Sequence, residues 1–346
     1  MPWRRALALA AVLVLGWASP AAAHGDGGPD ASNYRSEITG GRLDGVRWRV
    51  VGPDAYLQLT VEPGRRVVVL GYEGEPYLRF DDDGVFENRR SPAAYLNAER
   101  FGGVAPPSSA DPEAPPRWRR VSSGRSYRWH DHRIHWMSPR PPAVVRADGD
   151  REHVVSRWTV DHVVDGRPAA LQGTLRWLPS RPAWPWLAAL GVGVAVVVAL
   201  GLGTRPVGGR WPRLARPAAG VLLLAAAATV VGAVDDVLAS SASATDDVTT
   251  VVVAVAAASV VALAARRAWT ADDTGFGALA VGGLVVAYAA GISQLETLTA
   301  PVLVTELPDV VTPICTTLAL AAGATGVVAA VLAERRFGTF FGRLGR

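Results

Sequence analysis

The chain has 346 residues, 49% hydrophobic and 19% charged, with a mean hydropathy of +0.18. That is too apolar for an ordinary soluble enzyme and too charged for a bare membrane bundle. The charges resolve this: 25 arginines and 21 acids lie up to Arg181, and ten of each follow, almost all between long apolar runs. The lone Cys315 excludes a disulfide framework, and basic residues scattered over both halves argue against a nucleic-acid binder.

The first 23 residues carry a signal-peptide pattern. Arg4 and Arg5 precede an apolar stretch from Ala6 to Trp17, too short to span a bilayer, and Ala21-Ala22-Ala23 makes a small-residue cleavage site. Cleavage there leaves His24 as the mature N-terminus, whose amine and ring nitrogen together can hold copper.

Residues 33–179 read as strands. Val46 to Val51, Tyr56 to Val61, Arg66 to Tyr72 and Tyr77 to Phe86 are β-branched and aromatic runs separated by turn formers. Val154 to Val163 and Ala170 to Leu178 flank Asp165-Gly166 as a hairpin. Gly102 to Arg117 is rich in Pro, Ser and Ala and reads as an exposed loop. The expectation is an all-β extracytoplasmic domain over residues 24–181, a sandwich or a barrel.

Three of the six histidines crowd into Trp129-His130-Asp131-His132-Arg133-Ile134-His135-Trp136-Met137. On a strand, His130 and His132 point to one face and can converge on an ion; His135 joins them only if the chain turns near Arg133 and Ile134. His162 lies on the hairpin face of Val154, Trp158 and Val160, and His24 is the remaining ligand candidate. Imidazoles suit copper or zinc, Met137 adds a soft ligand, and Asp131 is an auxiliary group. The competing reading is a strand whose histidines bond to Asp131, backbone or water. A third is an anion-binding surface made by Arg128, Arg133 and Arg140 among the aromatics.

From Pro182 onward, five apolar runs over about 184–203, 217–236, 248–265, 276–293 and 310–333 each approach the roughly 20 residues that a bilayer requires. Arginines follow the first, third and fifth runs, whereas the other two loops carry only acids. The positive-inside rule therefore puts the polar domain outside and the tail, residues 335–346, in the cytoplasm of a plasma-membrane protein. The helical bundle occupies 182–334. No histidine or mid-depth carboxylate lies in a run, so the spans read as an anchor. Asp235, Asp236, Asp246 and Asp247 read as a solvated outer loop or acidic rim, and Pro313 as a kink in the fifth span.

Glu75-Pro76-Tyr77-Leu78-Arg79-Phe80, Gly84-Val85-Phe86 through Ser91-Pro92-Ala93-Ala94-Tyr95-Leu96-Asn97, and Trp129 to Met137 resemble segments of a family of exported multi-pass membrane proteins. These belong to high-GC Gram-positive bacteria. The resemblance covers mainly residues 70–140 and implies one outer domain on a membrane part, but no activity. In layout only, the chain is similar to copper-handling exported proteins of the CopC and YcnI types; the residues after His24 depart from their opening strand.

Two functions are expected from these residues. The first is a membrane-anchored protein that binds copper or zinc through His130 and His132 with His135, His24 or His162. The second is an envelope assembly or sensing protein whose outer domain contacts a protein, a lipid or an anionic wall polymer without metal. Binding is expected over catalysis, since Asp131 is the only general-base candidate in the segment.

Overall fold

The computed structural model describes residues 31–98, 103–239 and 244–337. They form two compact units: the described residues up to Ser180 together with Ala300–Val304, and Arg181–Thr299 with the described residues from Thr305 onward. The signal-peptide stretch and His24 lie outside the described residues.

The first unit is a β-sandwich. Its strands are β1 (Tyr34–Gly40), β2 (Val46–Val51), β3 (Tyr56–Val61), β4 (Val67–Leu70), β5 (Pro76–Asp81), β6 (Gly84–Asn88), β7 (Trp118–Ser122), β8 (Ser126–Trp129), β9 (His153–Val164) and β10 (Arg167–Trp177). A seven-stranded sheet runs β1-β10-β9-β4-β5-β6-β7, and a three-stranded sheet runs β2-β3-β8, with every pairing antiparallel. Alternation puts Val46, Trp48, Leu57, Leu59 and Val61 on the inner face of the small sheet. They share one buried core with Val67, Val69, Phe80, Val160 and Leu171 of the large one. Short helices α1 (Ala93–Leu96) and α2 (Ala143–Ala147) lie in its connections.

Two details depart from the pattern read in the sequence. Tyr77 to Phe86 is not one run but two strands, because Asp82 and Asp83 make a tight turn between the paired Asp81 and Gly84. β1, β7 and β8 were not among the expected runs. β1 and β7 are the edges of the large sheet, so each is polar on its outer side and carries little apolar signal. The expected hairpin at Asp165-Gly166 is present, with both residues at positive φ (50° and 81°), the backbone of a type I′ turn. Opposite Trp158 stands Gly173, where a Cβ would fall 2.0 Å from the indole, so only glycine lets that ring lie on the sheet. The loop at Ala300–Val304 belongs to this unit: Ser32 and Val302 exchange both backbone hydrogen bonds, at 3.0 and 3.2 Å.

The second unit holds five helices long and apolar enough to cross a membrane, so the chain is a multi-pass membrane protein. They are α3 (Trp184–Gly203), α4 (Pro212–Ala239), α5 (Ala244–Ala268), α6 (Asp273–Val286) with its continuation, and α7 (Val311–Phe337). The helices outrun the apolar stretches at several ends, since helical hydrogen bonding continues past the last apolar residue. Pro313 falls in the first turn of α7, where its missing N–H has no partner to lose and no kink is required. The fourth span is not uniform. After Val286 it passes through a π-turn (Ala287–Gly291) and a 3₁₀ segment (Ile292–Leu298), where the Thr297 hydroxyl lies 3.0 Å from that of Thr316 on α7.

Asp235 is not a solvated loop residue. It is 3% exposed, and its carboxylate accepts the backbone N–H groups of Glu306 (2.9 Å) and Leu307 (3.3 Å), while Asp236 is exposed. The side chains of Asp246 and Asp247 lie outside the described residues. Glycines set the closeness of α6 and α7: a Cβ at Gly283 would lie 2.6 Å from the Ala322 carbonyl oxygen, and one at Gly326 would lie 2.5 Å from that of Leu279.

Candidate functional site

The histidine segment begins where β8 ends. Trp129 is the last rung, paired with Leu57, and the chain then turns instead of continuing as a strand. Asp131 caps a 3₁₀ turn at His132–Ile134 by accepting the Arg133 N–H, so His130 and His132 do not share a strand face. His130 packs inward, its Nδ1 2.9 Å from the Ala55 carbonyl oxygen and its ring stacked on Tyr56 at 4.1 Å. The turn instead brings His132 and His135 together, with ring centroids 6.2 Å apart. Behind His135, the buried Asp54 carboxylate lies 3.5 Å from Nδ1.

The other candidates are placed elsewhere. Met137 is 36% exposed at the surface. Asp131 is consumed by its neighbours: it takes two bonds from the Arg133 guanidinium at 2.7 Å each and one from Trp129 Nε1 at 3.0 Å. Among the described residues, no group of three or more His, Cys, Asp or Glu side chains is arranged to hold a metal ion.

His162 is a core residue, 1% exposed, with its ring edge-on to Trp48 at 5.2 Å and Nδ1 3.1 Å from the Val160 carbonyl oxygen. That bond assigns the proton to Nδ1. Burial lowers its pKa from the ordinary 6.5, only partly offset by the Val160 carbonyl and by Asp161. The unfolded chain therefore takes up a proton at His162 at a higher pH than the folded one. Stability is fully present above 6.5 and falls as pH drops from there towards the folded pKa, by up to about 1.4 kcal/mol per unit. The melting temperature of the β unit is expected to fall between pH 7 and pH 5, and His162→Leu to flatten that slope. An identical slope in the variant would assign the acid sensitivity to other groups.

A polar network surrounds Arg133. The Arg133 guanidinium, held by Asp131, also donates to the Leu70 carbonyl oxygen at 3.0 Å and lies over the Tyr72 ring at 5.2 Å. Burial opposes its charge, but the Asp131 carboxylate more than compensates and raises its pKa. The Tyr72 hydroxyl donates to Asn97 and accepts the His132 N–H at 3.1 Å, and Asn97 shares a further bond with the buried Tyr77. Burial, with help from Asp131, pushes the Tyr72 phenol well above its ordinary range. Ser91 donates to the buried Glu75 at 2.5 Å. Most of these residues are thus engaged in joining loops to one another.

A different feature has the composition of a binding site. Next to the β6–β7 edge lies a cleft of about 700 Å³ lined by Arg89, Arg90, Arg117 and Arg119, with Tyr95 and Trp118 as its aromatic walls. Asp111 is the one carboxylate in that lining, and Ser108 and Ser109 add hydroxyls. Glu87 pairs with Arg119 at 2.8 Å, Arg89 stacks over Tyr95 at 5.8 Å, and Arg90 donates to the Pro115 carbonyl oxygen at 3.2 Å.

No family model, curated protein or solved structure matches the chain. The anion-binding surface expected at Arg128, Arg133 and Arg140 loses Arg133, which is internal and paired. The cleft arginines were missed. Their signal, Arg89-Arg90 and Arg117-Trp118-Arg119-Arg120, is dense in the sequence but split by the proline-rich stretch.

Proposed function

We propose that the chain is a membrane-anchored binding protein whose β domain takes an anionic ligand in the arginine cleft. The observation that carries this reading is the lining: four guanidiniums, one of them paired with Glu87 behind it, against one carboxylate, in a volume within the roughly 300–1,000 Å³ of small-ligand sites. Guanidinium forks match phosphate and carboxylate oxygens two at a time. The segregation of arginines to the loops after the first, third and fifth spans supports an outward-facing β domain and a cytoplasmic tail. Binding is favoured over catalysis because Asp131, the base candidate, is fully engaged with Arg133 and Trp129.

The test is calorimetric titration of the full-length protein in neutral detergent with pyrophosphate. Wild type is expected to bind with an affinity that falls as salt rises, and Arg90→Gln with Arg117→Gln to weaken it at least about tenfold. Undiminished binding in the double variant would remove the cleft from consideration.

A second reading, of a copper or zinc ion at the histidine segment, has one observation in its favour. His132 and His135 are neighbours, and Asp54 sits behind His135 as a carboxylate does behind a metal-ligating imidazole. On this reading Cu(II) or Zn(II) binds the same full-length protein at one equivalent that disappears in His132→Ala with His135→Ala. Unchanged stoichiometry in that variant ends it.

A further inference from the structure

We infer that the ligand of the arginine cleft is an anionic saccharide chain, an inference that rests on the anion reading above and adds the class of molecule. Three features of the lining carry it. The cleft, at about 700 Å³, is far larger than an inorganic anion needs, so charge alone leaves most of it unfilled. Its walls combine guanidiniums with the paired hydroxyls of Ser108 and Ser109, groups that can bond to both the anionic oxygens and the hydroxyls of a sugar. Trp118 lines the cleft with one face of its ring covered by the Arg79 guanidinium at 5.1 Å, so the C–H face of a pyranose would rest on the opposite face.

The residues sit where a chain can be held at more than one point. Trp118 pairs with Asn88 and Arg119 with Glu87 across β6 and β7, and the Arg89 N–H donates to the Arg117 carbonyl oxygen, so the backbone carrying Arg89, Arg117 and Arg119 is held in register. Among the described residues β7 is the last strand of its sheet, with no strand on its outer side. Arg119 keeps 56% of its side chain exposed while paired with the buried Glu87, so a ligand anion would share the guanidinium with that carboxylate, not displace it.

The experiment uses the full-length protein reconstituted into detergent-free phosphatidylcholine nanodiscs and four probes: oligogalacturonate, neutral dextran oligomers, pyrophosphate and phosphatidylglycerol vesicles. Oligogalacturonate is expected to bind at least about tenfold more tightly than dextran or pyrophosphate. Arg117→Gln is expected to weaken oligogalacturonate and pyrophosphate together. Ser108→Ala with Ser109→Ala, on an exposed irregular segment that cannot unfold the sandwich, is expected to weaken oligogalacturonate alone. Trp118→Ala should act like the serine variant. If pyrophosphate binds as well as oligogalacturonate, the saccharide class falls and the anion site stands. Binding confined to the vesicles would replace the saccharide with a lipid headgroup. Equal binding of dextran would overturn the role of charge, and no binding of any anion would overturn both readings.

Discussion

Asp131→Ala is expected to lower the stability of the β unit by about 3–5 kcal/mol, the usual cost of leaving one partner of a buried ion pair uncompensated. The side chain of Asp131 is fully buried and that of Arg133 is 15% exposed. Removing the carboxylate strands the guanidinium, frees Trp129 Nε1 and uncaps the turn at His132–Ile134. The Tyr72–Asn97–His132 bonds, which meet this turn, should loosen with it. Near-ultraviolet circular dichroism of the full-length protein, which contains 12 tryptophans, provides the readout of the melt. Asp131→Asn should lose less, because it keeps an acceptor for Trp129. Asp131→Ala combined with Arg133→Leu should recover part of the single-variant loss, since no charge is left buried. A single variant that melts within a degree of wild type would show that the network does not hold the segment.

Gly283→Leu is expected to destabilise the helical unit by about 3 kcal/mol, at the upper end of ordinary overpacking. At this position the first added atom meets backbone: the Ala322 carbonyl oxygen at 2.6 Å and its carbon at 3.2 Å. A side-chain neighbour could rotate away, but a helix backbone has to move as a whole, and α6 and α7 would separate along their length. Gly220→Leu on α4 is the matched control, for nothing lies within 4 Å of a Cβ there. Heating both variants in detergent and following the monodisperse fraction by size exclusion should separate them clearly. Equal behaviour of the two would mean that the α6–α7 contact is looser than these distances require.

Much of this architecture is legible in the chain because it is local. β2 and β3 fall on the residues whose alternation marks them, and the turn at Asp165-Gly166 follows from two residues that tolerate positive φ. The candidate site was much less legible. His130, Asp131 and His132 look like a ligand set on a strand, but Asp131 is a better turn cap than a spacer. Once it accepts the Arg133 N–H, His130 turns inward to the Ala55 carbonyl while His132 and His135 are left as neighbours. His162 was visible as sharing a face with Trp158 and Val160. Its neighbour Trp48 comes from the other sheet and could not be read from spacing.

The division of labour along the chain is local information. Hydrocarbon thickness sets the length of a span, and the period of a strand sets which residues turn inward, so both properties are written in consecutive residues. Which side chains meet is a matter of long-range packing. Arg89 and Arg90 reach Arg117 and Arg119 only because β6 and β7 pair across the proline-rich stretch. His135 reaches Asp54 only because a capped turn redirects the chain. Such meetings depend on the register between distant segments. Burial of the shared core fixes that register, and the local order of residues does not encode it.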